Sequence, residues 1–146
     1  MPCSFYSRLS SGEFFPTTFV LPADAEACHA AMRASTAQPS LWIVKPIASS
    51  RGRGISIIQQ PHQLPAEDVV VSRYVANPLL IDGFKFDLRL YVAVTSFHPL
   101  RMYVYDEGLA RFSTEPYQNA GGAALKNLFM HLTNYSINKQ CALLQE

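Results

Sequence analysis

The 146-residue chain is 49% hydrophobic and 16% charged, with a formal net charge of +1. That balance excludes an intrinsically disordered chain and argues against a general nucleic-acid binder, which needs a strong basic excess. A chain of this length hides roughly 68–70% of its unfolded surface, enough for one domain with a core.

Residues 1–21 are aromatic and loop-like, punctuated by Pro16 and Pro22. Asp24 to Ala37 is Ala-rich and free of proline, which predicts a short helix with Asp24 in its first turn, where an acid suits the helix dipole. Gln38-Pro39-Ser40 ends it. Leu41 to Lys45 is an apolar run stopped by Pro46 and predicts a strand. Ala48 to Gly54 carries small residues and two glycines, hence a loop, and Ile55 to Gln60 is the returning strand. Asp68 to Tyr74 is strongly β-branched and predicts another strand.

Phe84 to Thr95 has the clearest pattern. Phe86, Leu88, Leu90, Val92 and Val94 alternate with Lys85, Asp87, Arg89, Tyr91 and Ala93, which predicts one strand with the phenylalanine and leucines facing the core. His98-Pro99 is a turn, Arg101 to Tyr105 the partner strand of a hairpin, Asp106-Glu107-Gly108 a second turn, and Leu109 to Phe112 a short strand. Gly121-Gly122 is a joint before a helix over Ala123 to Met130. The expected class is α+β, β-rich with antiparallel hairpins and few helices.

Cys3, Cys28 and Cys141 are far apart and form neither a CxxC pair nor an even disulfide framework, so a reducing compartment is expected. Cys28 reads as a buried small hydrophobe. No apolar run approaches the ~18–20 residues of a membrane span. The start, Met1-Pro2-Cys3-Ser4-Phe5, lacks the basic residues and apolar core of a signal peptide. The expectation is a cytoplasmic chain with no membrane and no nucleic-acid partner.

Side chains at i, i+2 and i+4 share one strand face, so Lys85, Asp87 and Arg89 project together. Two cations around one carboxylate suit an anionic ligand. From this segment alone, a solvated polar face with an internal salt bridge worth at most ~1 kcal/mol is the plainer account. Ser49 to Gly54 can bring backbone N–H groups and arginines to a phosphate, or be a plain hairpin loop or a small RNA contact. It is neither a Walker A nor a Rossmann fingerprint. Lys45, at the end of an apolar strand, either snorkels or meets an anion. Arg111, embedded among apolar residues, is a structural ion pair or a ligand. His29, His62, His98 and His131 show no metal spacing, and a lone histidine is more often a hydrogen-bonded core residue.

Read in order, Trp42-Ile43-Val44-Lys45-Pro46, Ser49-Ser50-Arg51-Gly52-Arg53-Gly54, Ser72-Arg73-Tyr74-Val75, Asn77-Pro78-Leu79-Leu80, Lys85-Phe86-Asp87-Leu88-Arg89, Gly108-Leu109-Ala110-Arg111-Phe112 and Phe129-Met130-His131-Leu132-Thr133-Asn134-Tyr135-Ser136 resemble the tubulin–tyrosine ligase-like family, on its polyglutamylase side. The resemblance covers Phe14 to Lys139. It implies an ATP-grasp-like fold present in part, as its central nucleotide-binding portion. The expected organisation is an N-terminal segment with a short helix over 1–40, the partial ligase domain over 41–139 and a tail over 140–146.

The resemblance further implies ATP-dependent ligation of free L-glutamate to glutamate side chains of tubulin tails through an acyl-phosphate. By it, Lys45, Arg51, Gly52, Arg53 and Gly54 meet the nucleotide phosphates, and Ser72, Arg73, Tyr74 and Val75 form a hinge beside the adenine. Lys85, Phe86, Asp87, Thr133 and Asn134 are further nucleotide contacts. Arg89 is a catalytic, phosphate-facing group. Arg111 is both catalytic and glutamate-binding, with Tyr135 and Ser136 in the same pocket. ATP and Mg2+ are the implied cofactors, and no metal ligand falls in this chain, since the family's acidic ligands lie beyond its end. The implied partners are tubulin and microtubules. The implied place is the cytoplasm and the microtubule cytoskeleton, with cilium and centrosome as candidate sites. Alone, the 146 residues are expected to be inactive. The competing readings are another ATP-grasp carboxylate–amine ligase and a non-catalytic nucleotide- or microtubule-binding product.

Overall fold

A computed structural model describes residues 15–34, 40–118 and 122–139. The chain divides into two compact units, one of residues 1–78 and 119–128, the other of 79–118 and 129–146.

The first unit is built on a four-stranded antiparallel sheet. Its strands are β1 (Thr18–Leu21), β2 (Trp42–Pro46), β3 (Ser56–Ile58) and β4 (Val69–Arg73), in the spatial order β1-β4-β2-β3. β1 lies in a stretch expected to be loop. Thr18, Phe19, Val20 and Leu21 are β-branched, aromatic or aliphatic, and they pair with Ser72, Val71, Val70 and Val69. The two prolines bound this strand; they do not mark a loop.

Helix α1 (Ala25–Ala34) covers one face of the sheet. Ala25, Cys28, Ala31 and Met32 recur at helical spacing and pack against Leu21, Trp42, Val44, Ile58, Val69 and Val71. Asp24 stands just before the helix, outside its first turn. Its carboxylate accepts a hydrogen bond from the Val20 N–H at 2.8 Å, which ties β1 to α1. Cys28 is fully buried, as expected, and burial, then Asp24, pushes its thiol pKa up. Cys3 and Cys141 lie outside the described residues.

Register then separates two functions on the same strands. Val44 pairs with Val71, whereas Lys45 pairs with Val70 and Ile43 with Ser72. Because successive side chains alternate, Val44 and Val71 enter the core under α1, while Lys45, Val70 and Ser72 stand on the opposite face.

The second unit contains β5 (Leu80–Ile81), β6 (Phe84–Arg89), β7 (Val92–Phe97), β8 (Leu100–Val104) and β9 (Leu109–Phe112). β5, β6 and β9 form an antiparallel sheet, and β7 and β8 a separate hairpin. Asp82 and Gly83 both have positive φ, 51° and 83°, which suits the tight β5–β6 turn. The single strand expected over Phe84 to Thr95 is broken at Leu90 and Tyr91, where the pairing partner changes from β9 to β8. Gly108 lies where the chain returns: a Cβ there would sit 2.9 Å from the Arg89 carbonyl oxygen.

One expectation fails here. Leu88 is 64% exposed and Leu90 60%, so the leucine face is not core. Alternation sorts side chains to a face, but burial needs a second layer, and none covers this face among the described residues. Phe86 is half-buried and stacks on its register partner Phe112, with ring centroids 5.8 Å apart.

The helix expected over Ala123 to Met130 resolves into a 3-10 turn (Gly122–Lys126) and α2 (Leu128–His131). A further short helix, α3 (Tyr135–Asn138), follows. No helix among the described residues is long and apolar enough to cross a membrane.

Candidate functional site

In the first unit, the sheet face opposite α1 opens onto a cavity of about 540 Å3. Lys45, Arg51 and Arg53 line it together with the hydroxyl-bearing Thr18, Ser49, Ser50 and Ser72, and no carboxylate is among the lining residues. Lys45 is exposed and bears no burial cost, because alternation puts it on this face. The Thr18 hydroxyl donates to the Pro16 carbonyl at 2.9 Å and accepts from the Ser72 hydroxyl at 3.0 Å, linking β1 to β4 on the same side. A cavity with three cations, four hydroxyls and no acid suits a polyphosphate.

The loop beside it takes an unusual path. Arg51, Gly52 and Gly54 have φ of 60°, 79° and 72°, and the Ser49 hydroxyl donates to the Arg53 carbonyl at 2.9 Å. At Gly54 a Cβ would sit 2.8 Å from Pro46 Cγ, so the loop closes on the end of β2 only because this residue has no side chain. Gly54→Ala is expected to cost roughly 1–2 kcal/mol from the left-handed backbone, plus displacement of the Pro46 ring. Gly83→Ala, where φ is equally positive but nothing lies within 4 Å, isolates the backbone part. Chemical denaturation of both variants measures the difference.

Arg73, Tyr74 and Val75 do not line this cavity. Tyr74 is buried, with its N–H donating to the Leu41 carbonyl at 2.8 Å, and Val75 is exposed. Of the expected hinge, Ser72 alone lines the cavity.

In the second unit, Lys85, Asp87 and Arg89 share a face of β6, as the alternation predicts. Register places Arg111 of β9 directly opposite Asp87. Arg111 Nε donates to Asp87 Oδ1 at 2.7 Å, Arg111 Nη2 donates to Oδ2, and the Thr133 hydroxyl donates to Oδ2 at 2.7 Å. The hydrogen bond from Arg111 is the main cause holding the Asp87 carboxyl below the usual carboxylate range. Thr133 and the nearby Arg89 add to it, against a partial burial that works the other way. Asp87 is therefore ionised at neutral pH and the ion pair is closed.

Arg111 and Thr133 also line a cavity of about 480 Å3, with Ala110, Phe112, Ser113, Thr114, Tyr135 and Asn138. Asp87 is not among the lining residues; it stands behind two that are. Tyr135 is 75% exposed. Lys85, Phe86, Arg89, Asn134 and Ser136 do not line this cavity. Lys85 Nζ lies 5.9 Å from the centre of the Tyr117 ring, and His131 is buried with its ring edge-on to the same tyrosine, the core role expected of a lone histidine.

Asn138 carries no sequence signal of a site residue. It is buried; its Oδ1 accepts from the Thr114 hydroxyl at 2.7 Å and from the Thr114 N–H at 3.2 Å, and its Nδ2 donates to the Leu132 carbonyl at 2.8 Å. It thereby fastens the chain leaving β9 to the segment carrying Thr133 and Tyr135. Its position one helical turn after Asn134 is the only trace in the sequence.

Among the described residues, no three His, Cys, Asp or Glu side chains converge as a metal site. The carboxylate behind the second cavity's lining, Asp87, is already taken up by Arg111 and Thr133, so the residues present do not fit a Mg2+ site of their own.

The sequence profile described as the tubulin-tyrosine ligase family matches residues 3–146. The chain belongs to the tubulin-tyrosine ligase family. It is 55% identical over 127 residues to the tubulin polyglutamylase TTLL5 of Homo sapiens, covering 86% of this chain and 10% of that protein. It is 50% identical over 139 residues to the tubulin monoglutamylase TTLL4 of Homo sapiens, covering 93% and 11%. It is 47% identical over 128 residues to a probable beta-tubulin polyglutamylase of Tetrahymena thermophila, covering 87% and 11%. This tubulin-tyrosine ligase family chain thus spans about a tenth of the length of these curated relatives.

Proposed function

We propose that this chain is the nucleotide- and amino-acid-binding portion of an ATP-dependent ligase that joins L-glutamate to glutamate side chains of tubulin tails. Its fold is read as part of an ATP-grasp domain, and its place of action as the microtubule cytoskeleton. The observation that carries the reading is the carboxylate-free cavity over Lys45, Arg51 and Arg53. It occurs in a chain whose matched relatives are named for tubulin glutamylation.

In this reading the first unit holds the phosphates and spreads their charge over Lys45 and the loop arginines. Activation transfers the terminal phosphoryl group to the acceptor carboxylate, with ADP leaving; the amine of glutamate then forms the amide as phosphate departs. In the second unit, Arg111 holds a carboxylate of the incoming glutamate. Tyr135 lines the same cavity, and Ser136 is read on the amino-acid side by the family resemblance alone. Arg89, Lys85, Phe86 and Asn134 are read, by the family resemblance, as nucleotide contacts. Magnesium bound with the nucleotide would neutralise charge at the transferring oxygens, and no cluster of metal ligands among the described residues would hold it.

Radiolabelled L-glutamate, ATP and microtubules test the reading with the full-length protein. ATP-dependent label on tubulin tails, located by mass spectrometry, is expected. Lys45→Ala is expected to weaken ATP binding about tenfold or more by calorimetry, since it removes a charge-assisted phosphate contact. Absence of label, or unchanged ATP affinity in the variant, overturns the assignment.

A further inference from the structure

We propose that Asp87 and Thr133 serve the incoming amino acid as positioning residues that act through Arg111. The inference deepens the ligase reading above and rests on its assignment of Arg111 to a substrate carboxylate. Three observations carry it. Asp87 engages Arg111 side-on, through Nε and Nη2. The Thr133 hydroxyl donates to the same carboxylate, so the carboxylate is itself held. Arg111 and Thr133 line the second unit's cavity, whereas Asp87 does not.

The chemistry follows from the guanidinium's fork. Two of its five N–H donors are taken by Asp87, which leaves the pair on Nη1 and one on Nη2. That remaining edge, Nη1 with Nη2, has the geometry for a second, bidentate carboxylate. An unheld arginine would lose its side-chain freedom at the moment of binding. Here the freedom is already restricted, because one edge is fixed to β6 by the register pairing of Asp87 with Arg111. Thr133 is buried, and its hydroxyl donates to Asp87 at 2.7 Å. The acid orients the base, and the base meets the substrate.

The test is steady-state kinetics of the full-length protein with microtubules and saturating ATP, varying L-glutamate. The variants are Asp87→Asn, Asp87→Glu, Thr133→Val, Arg111→Ala and the double Asp87→Asn/Arg111→Ala. Asp87→Asn is expected to raise the KM for L-glutamate about tenfold, with kcat changed less. Asp87→Glu keeps the carboxylate and is expected to restore most of the loss in KM, with kcat near that of the unaltered protein. The double variant is no worse than Arg111→Ala alone, because the effect runs through one guanidinium. An unchanged KM in Asp87→Asn overturns the proposal, as do effects of the two single changes that multiply. L-glutamate binding measured by calorimetry on the same proteins separates this proposal from the ligase reading. Asp87-dependent binding without transfer to tubulin refutes the ligase reading and supports the positioning role. Transfer with an Asp87-independent KM does the reverse.

Discussion

Arg111→Ala in the full-length protein is expected to raise the KM for L-glutamate about tenfold to a hundredfold, with the KM for ATP moving several-fold less. The magnitude is that of a hydrogen bond between charged groups lost from a site where water cannot fully replace it. The fold itself should survive. Asp87 keeps the Thr133 hydroxyl, and its side chain is 38% exposed, so solvent screens the orphaned carboxylate. The stability cost is accordingly about 1 kcal/mol or less. Varying each substrate in turn reads the asymmetry; equal rises for ATP and glutamate would remove Arg111 from the amino-acid site.

The second large effect is on folding. Trp42 is 3% exposed at the centre of the core, beside Phe19, whose ring centroid is 5.9 Å away. Trp42→Ala is expected to cost about 3–5 kcal/mol, since a cavity that size cannot collapse between a helix and a sheet. Trp42→Phe is a sharper probe. The indole Nε1 is buried without a hydrogen-bond partner among the described residues, so its removal relieves an unsatisfied donor while the ring contact is largely kept. The phenylalanine variant should lose less than about half as much as the alanine one. Denaturation followed by far-ultraviolet circular dichroism checks this, because the chain's only tryptophan is the residue removed.

These two residues also mark what the sequence does and does not disclose. Trp42 lies in an apolar run stopped by Pro46, and such runs locate strands well; β2, β3, β4 and α1 all fall within a few residues of the ranges the sequence predicts. β1 is hidden by Pro16 and Pro22, which punctuate the sequence on either side of the Thr-Phe-Val-Leu run. β5 has two residues, too few for any period to show. The break at Leu90 and Tyr91 is invisible for a different reason. Period-2 alternation continues across it, and only the identity of the partner strand changes. Leu88 and Leu90 show that alternation assigns a face without saying what covers it.

The site divides in the same way. The common face of Lys85, Asp87 and Arg89 is a local property and was legible. The pairing of Asp87 with Arg111 spans 24 residues and needs the β6–β9 register, which no local pattern supplies. Lys45 was legible as a cation in an awkward place, and the register of β2 against β4 resolves the awkwardness. Asn138 works through its backbone and hydroxyl partners at Thr114 and Leu132, and no composition or spacing rule singles out such a residue.

The division of β2 between core and cavity has a consequence for how the sheet assembles. Val44 and Lys45 are neighbours that must end on opposite sides. A pairing error of one residue during folding would drive the lysine ammonium beneath α1 and put the valine into water. Burying an unpaired ammonium costs several kcal/mol, far more than most single contacts provide. Lys45, proposed above to meet a phosphate, would therefore also penalise misaligned pairing of β2, and its replacement by an apolar residue would remove that penalty as well as a charge.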